Sequence, residues 1–337
     1  MKAIVFHEFG PPAVLRLEEV STPSPGPGEV LLKVHAVSVN RTLDLAVRAG
    51  QYAHRPELPH VLGADPCGIV AAIGREVTAC NVGDRVVCRP FIGAQPNGQP
   101  IVLGVHRWGG YAEYVKVPAG ATHRIPDELD FRTAAVVARH APLAFTQLRD
   151  RAKVKPGEWV LVMGAAGGVG SAAIQAAKLL GAHVIAAAGS DSRVQAARQL
   201  GADAGVNYRT QDLSAEVRRI TGGAGVNVVL ENIGDPELFP KAFSALARGG
   251  RLVTAGSHGG GVVPLDVTQL YLNRITIIGD GHDTPDNFEL ALRFAAEGKL
   301  KALIAQVLPL SGAAHAHKLA EARAEIGKIL IDPTEMA

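Results

Sequence analysis

An uncharged stretch runs from Trp159 to Ala177: Trp-Val-Leu-Val-Met, then Gly-Ala-Ala-Gly-Gly-Val-Gly, then Ser-Ala-Ala-Ile-Gln-Ala-Ala. The short apolar run bounded by glycine predicts a buried strand, and the small apolar residues after it predict a helix. His183-Val-Ile-Ala-Ala-Ala-Gly189 then predicts a second buried strand. Gly164, Gly167, Gly168 and Gly170 interrupt the stretch, and its small residues suit a helix packed on a sheet rather than lipid.

The alternation continues along the chain. Strands are expected near 159–163, 183–187, 205–207, 226–230, 251–255 and 275–279, with helices near 171–180, 192–200, 212–221 and 239–247. Strands joined by crossover helices make an α/β, doubly wound parallel sheet of the Rossmann type. Gly222-Gly223-Ala224-Gly225 follows a helix and precedes a strand, so it is a turn and not a second phosphate-binding motif. The first 125 residues read differently: short apolar runs near 3–6, 30–37, 68–73, 85–88 and 111–117 alternate with Gly/Pro turns such as Pro23–Gly28. That is a β-rich, barrel-like domain. Helices near 286–297 and 312–323 and a strand over Gly327–Ile331 form a last segment that returns to the first domain. The expected division is 1–125, 126–280 and 281–337.

A chain of 337 residues is long enough for two domains. A formal net charge of +2 without a basic run gives no case for a nucleic-acid partner, so the expected partner is a small-molecule substrate. Charge appears too early in Met1–Glu8 for a secretion signal, so a cytoplasmic protein is expected, with no membrane association. Cys67, Cys80 and Cys88 are odd in number and scattered, reading as small buried hydrophobes rather than a disulfide framework.

The chemistry concentrates at the first strand-to-helix turn. Ala165-Ala166-Gly167-Gly168-Val169-Gly170 is an A-x-G-x-x-G form of the dinucleotide fingerprint. Gly167 lets the backbone approach a pyrophosphate, Gly170 lets the helix pack closely, and the first helical N–H groups face the phosphates. The second strand ends Ala186-Ala187-Ala188-Gly189-Ser190, without the acid that holds a ribose 2′-hydroxyl in NAD sites. Asp191 reads as a helix cap. Ser190 and Arg193 suit a 2′-phosphate, which favours NADPH, although Arg193 also reads as a solvated helix residue.

Met1-Lys-Ala, Pro25–Val30, Val39-Asn40-x-x-x-Asp44, Val82-Gly83-Asp84-Arg85-Val86, Gly110–Tyr114 and Leu200-Gly201-Ala202-Asp203 complete a pattern covering essentially the whole chain. It resembles the medium-chain dehydrogenase/reductase superfamily, with a GroES-like domain, a Rossmann domain and a C-terminal return. The resemblance is closest to the zinc-independent quinone oxidoreductase branch, whose members use NADPH. It implies site residues Asn40, Asp44 and Tyr52, with Tyr52 either donating to a substrate carbonyl or serving as a rim tyrosine. It implies that Tyr208 packs by the adenosine phosphate and that Ala255, Gly256 and Ser257 meet the nicotinamide carboxamide. The branch often carries another tyrosine where this chain has Ala46. His258–Gly261 is a candidate mobile loop.

Zinc members of the superfamily carry a catalytic Cys where this chain has Asn40 and Gly-His-Glu where it has Gly63-Ala64-Asp65, leaving His140 near a third ligand position. One imidazole without its partners makes no zinc site. His315 and His317, two residues apart, do not share a helix face. Without a Lewis acid, hydride addition to a quinone or to the C=C of an enone is easier than alcohol oxidation, because charge spreads into an enolate. The rivals are a zinc-type alcohol or carbonyl dehydrogenase and a nucleotide-binding protein with a structural or RNA-binding role. The apolar last strand, Ile275–Gly279, is an edge that needs covering, and superfamily members pair it across a two-fold axis, so a homodimer is expected.

Overall fold

The computed structural model describes every residue except Ala324, Met336 and Ala337, so the last two residues of the expected return segment lie outside the described residues. Two compact units are formed, Met1–Arg139 with Ala302–Ala337, and His140–Lys301.

The first unit opens with β1 (Lys2–Val5) paired antiparallel to β2 (Arg16–Glu19). β3 (Glu29–Ser38), the short helix α1 (Asp44–Arg48), β4 (Cys67–Ile73) and β5 (Arg85–Cys88) follow. β6 (Phe91–Ala94) and β7 (Pro100–Val102) make a hairpin, and β8 (Tyr114–Pro118) and β9 (Thr122–Arg124) come before α2 (Phe131–Phe145). The sequence pattern placed no element over α2, which holds Pro142 inside it and runs into a wider π turn at Thr146–Arg151.

In the second unit every expected strand and helix is present. β10 (Trp159–Met163), α3 (Gly168–Leu179), β11 (His183–Ala188), α4 (Asp191–Gln199) and β12 (Ala204–Asn207) form one half. α5 (Leu213–Ile220), β13 (Val226–Glu231), α6 (Leu238–Ser244), β14 (Leu246–Thr254), α7 (Val267–Leu272) and β15 (Thr276–Gly279) form the other. α6 stops earlier than the sequence suggested because Leu246 already pairs with Val226. All pairings in this six-stranded sheet are parallel, in the order β12-β11-β10-β13-β14-β15. Buried Leu161, Met163, Ile185, Val206, Val229, Phe243 and Leu252 supply its core, as expected of strands covered on both faces.

α8 (Pro285–Ala296) belongs to this unit, a correction to its assignment to the returning segment. The reason is packing: Asn287 Nδ2 donates to Thr146 Oγ1 at 2.8 Å and Asp150 Oδ2 at 2.6 Å, and Phe294 meets Phe145 with ring centroids 5.8 Å apart. The other boundary moves from 125 to 139, because Phe131 stacks on His35 at 4.6 Å and Arg132 donates to Asp332 at 3.0 Å. The return is therefore β16 (Ile304–Pro309), α9 (Ala313–Ala322) and β17 (Lys328–Asp332). β17 pairs with β3, giving the order β16-β17-β3-β4-β5-β9, with β8 also on β3. This sheet and the β1–β2 pair enclose Ile4, Phe6, Leu32, Leu62, Leu103 and Tyr111. Among the described residues, no helix is long and apolar enough to cross a membrane.

Candidate active site

The glycine turn closes β10 onto α3. Gly164 has φ +64°, a left-handed conformation that suits glycine, and its carbonyl lies where a Cβ on Gly170 would overlap it. Gly167 is the N-cap of α3, with extended backbone and no side-chain cap, so Gly168, Val169 and Gly170 begin the helix with uncapped N–H groups. A Cβ at Gly167 would meet only Gly164 O, at 3.2 Å, which leaves the backbone approachable. Gly168 has a different reason to be glycine: a Cβ there would overlap the His140 imidazole. Ala165, next in the turn, is buried, and its N–H donates to Ala187 O at 3.1 Å. These features fit the pyrophosphate of a dinucleotide.

At the tip of β11, Ser190 rather than Asp191 caps α4, which corrects the sequence reading. Ser190 Oγ accepts from Arg193 N at 3.4 Å and lies 3.1 Å from Ser192 Oγ. Asp191 Oδ1 instead accepts from Asn207 Nδ2 at 2.8 Å. Tyr208 and Arg209 converge here: a Cβ on Gly189 would lie 3.0 Å from the Tyr208 hydroxyl and 3.3 Å from Arg209 Nε. Arg209 escaped the sequence reading because it follows β12, far along the chain from the fingerprint. Ala255, Gly256 and Ser257 follow β14 at the carboxyl edge of the sheet. The next loop is tied down, since Gly259 N donates to Ile233 O at 2.6 Å and Gly261 N to Gly234 O at 3.0 Å. Gly259 and Gly261 of the candidate loop are thus hydrogen-bonded to the segment that follows β13.

The first unit holds a buried polar network. Asn40 N donates to Asp44 Oδ2 at 2.8 Å, so two of the three expected residues meet. The Tyr52 hydroxyl shares no hydrogen bond with either; its backbone N–H donates to Ala46 O at 3.2 Å and its ring packs against the apolar core. Three partners were missed from sequence. Asp65 accepts from Ser38 N at 2.9 Å, Ser38 Oγ at 2.5 Å and Asn40 Nδ2 at 3.0 Å. Lys328 Nζ donates to Asn40 Oδ1 and Val39 O, both at 2.9 Å. Tyr111 OH donates to Asp44 Oδ2 at 3.0 Å. Their polar or charged character beside strand ends was the only available signal, because long-range return of the chain brings them together.

Burial raises Asp44 above the usual carboxylate range and lowers Lys328 below the usual ammonium range. Behind Tyr111, His317 Nε2 lies 3.3 Å from the hydroxyl, and Arg48 Nη1 lies 3.0 Å from His317 Nδ1. Arginine can only donate, so Nδ1 accepts and Nε2 carries the proton. Burial pushes His317 down to about 3, consistent with a neutral ring. Arg48 also donates to Glu321 Oε1 at 2.5 Å.

The residues around Asn40 do not fit zinc. The amide oxygen faces an ammonium, the amide nitrogen faces Asp65, and the Asp65 carboxylate already accepts three hydrogen bonds. A catalytic zinc needs three protein ligands. Among the described residues no group of three or more His, Cys, Asp or Glu is disposed to hold a metal ion.

Comparison with known proteins follows the same outline. Residues 168–297 match the zinc-binding dehydrogenase family, and residues 26–127 match the alcohol dehydrogenase GroES-like domain. Quinone oxidoreductase of Homo sapiens is 32% identical over 325 residues, covering 94% of this chain and 93% of that protein. The crystal structure of an NAD-dependent alcohol dehydrogenase superposes with a TM-score of 0.90 at 38% identity, covering 98% of this chain and 99% of that one. Escherichia coli quinone oxidoreductase complexed with NADPH gives a TM-score of 0.83 at 29% identity, covering 99% and 100%.

Proposed function

The chain belongs to the medium-chain dehydrogenase/reductase superfamily as an oxidoreductase, and from that premise we propose NADPH-dependent, metal-free reduction of a quinone or of the C=C of an enone. One observation carries the reading: the Asn40 amide is clasped between the Lys328 ammonium and the Asp65 carboxylate, a set of groups unsuited to a Lewis-acid metal. The quinone oxidoreductase relatives, one of them solved with NADPH, support it.

Bound NADPH would supply the hydride. Ala165, Gly167, Gly168, Val169 and Gly170 would hold its pyrophosphate, and Ser190, Arg193 and Tyr208, with Arg209 beside them, its 2′-phosphate. The backbone of Ala255, Gly256 and Ser257 would meet the carboxamide. Asn40 shapes the substrate wall, Asp44 fixes the Asn40 backbone, and Tyr52 or an ordered water donates a hydrogen bond to the substrate carbonyl. Charge then builds on that oxygen as an enolate, and solvent supplies the final proton.

The protein acts as a cytoplasmic homodimer in this reading. β15 ends its sheet, Ile277 there is 38% exposed, and Val267, Tyr271 and Leu272 on α7 are exposed as well. A monomer by light scattering at micromolar concentration contradicts that part. The similarity to an NAD-dependent alcohol dehydrogenase favours one rival, alcohol oxidation. The deciding experiment is NADPH turnover on a panel of quinones, enones, aldehydes and alcohols, with and without EDTA. Quinone or enone reduction indifferent to EDTA is expected. Zinc at about one equivalent per chain, with activity lost on chelation, would overturn the reading.

A further inference from the structure

Asn232 is 7% exposed, and neither its Oδ1 nor its Nδ2 has a hydrogen-bond partner among the described residues. A buried amide with both ends unsatisfied is costly, and a loop free to relax would turn it outward. This loop is held. The Glu231 carboxylate accepts from Ile233 N at 2.9 Å and Gly234 N at 3.0 Å. From the other side Gly259 N and Gly261 N donate to Ile233 O and Gly234 O. A Cβ on Gly256 would overlap the Asn232 carbonyl, so the two loops are pressed together as well as bonded.

The placement identifies the missing partner. β10 pairs with β11 on one flank and β13 on the other, so the chain reverses its direction of travel across the sheet between β10 and β13. In open α/β sheets that switch point is where a dinucleotide lies, one half on each side. The adenosine half belongs with the tip of β11, where Ser190, Tyr208 and Arg209 gather. The nicotinamide half therefore falls towards β13 and β14. Asn232 is the first residue after β13, and a Cβ on Gly164 of the phosphate turn would lie 3.6 Å from the neighbouring Ile233 side chain.

We propose that the Asn232 amide positions the nicotinamide riboside half of the cofactor. A primary amide offers donors and an acceptor together, which matches a carboxamide or a pair of ribose hydroxyls. The assignment rests on the dinucleotide reading of this unit and adds a side chain to it.

The test titrates NADPH and 2′-phospho-ADP-ribose, which lacks nicotinamide, against the wild type, Asn232→Leu and Asn232→Ala by calorimetry, with melting curves of the unliganded proteins. NADPH should bind each variant about three- to thirtyfold more weakly, while 2′-phospho-ADP-ribose stays within about twofold. Unliganded Asn232→Leu, of similar shape and without the unsatisfied amide, should melt no lower than the wild type and up to about 4 °C higher. Unchanged NADPH affinity, or equal weakening of both ligands, overturns the assignment. So does a lower melting temperature for Asn232→Leu with binding intact, since the amide is then satisfied within the protein. If Asn232→Leu does not fold, Asn232→Ala decides by affinity alone. Wild type that binds neither ligand overturns the dinucleotide reading and this assignment with it, whereas a failure confined to the variants overturns the assignment alone.

Discussion

The His140 imidazole occupies the space that a Cβ on Gly168 would need. Gly168, a variable position between the two fingerprint glycines Gly167 and Gly170, is therefore required to be small by a contact within the protein. Gly168→Ala should destabilise the protein by about 1–3 kcal/mol, the usual cost of forcing an atom into occupied space. His140→Ala in the same chain should recover more than half of that. A double-mutant cycle on urea midpoints checks it, and additive losses would show that the imidazole is not the obstacle.

Asp44 ties Asn40 to Tyr111 through one carboxylate oxygen. Its Oδ2 accepts from Asn40 N and Tyr111 OH, so Asp44→Ala strands two buried donors and should cost about 2–4 kcal/mol. Asp44→Asn keeps an acceptor in place and should cost less than half as much, with turnover largely retained. Equal losses in the two variants would show that the carboxylate charge itself is needed.

His317 should remain neutral in the folded protein far into the acid range. Its folded pKa, pushed down to about 3 by burial and by Arg48, lies below the unfolded value of 6.5. Between these values the unfolded chain binds the proton and the folded one does not. The stability contributed by the neutral ring is thus complete above pH 6.5 and is lost as pH falls towards 3, by up to about 1.4 kcal/mol per pH unit. The advantage of wild type over His317→Gln should shrink along that slope. Imidazole resonances that titrate near 6.5 in the native protein would contradict it.

Arg193 should discriminate between cofactors. Its backbone N–H caps onto Ser190, which fixes it in the first turn of α4. NADPH is expected to bind at least about tenfold more tightly than NADH, and Arg193→Ala should remove most of that margin while leaving NADH nearly unchanged. Equal wild-type affinities would sink the 2′-phosphate reading. A margin that survives Arg193→Ala would pass the role to Arg209.

Tyr52→Phe should lower kcat by about ten- to a hundredfold if the hydroxyl assists the substrate carbonyl. The fold should not suffer, because that hydroxyl bonds to neither Asn40 nor Asp44 and the ring still packs on the core. A steady-state assay with an unaffected rate leaves Tyr52 as a packing residue and water as the donor.

The second unit is legible in the residues alone. Its strands are buried on both faces and its turns are marked by glycine, so period and punctuation alone locate β10 to β15 and the fingerprint between Ala165 and Gly170. The sequence also carries the absence of the usual zinc ligands at Asn40 and Ala64, since that depends only on which residue types are present. Contacts made by distant returns of the chain have no such local signature. β17 brings Lys328 to Asn40, and α9 brings His317 to Tyr111, across 288 and 206 residues that no local pattern connects. α8 looked like part of the return because its amphipathic pattern shows only that it packs, and Asn287 and Phe294 decide against what. Asn232 remained invisible for the same reason. An asparagine after a strand is ordinary in sequence, and only burial without a partner, beside the switch point of the sheet, sets it apart.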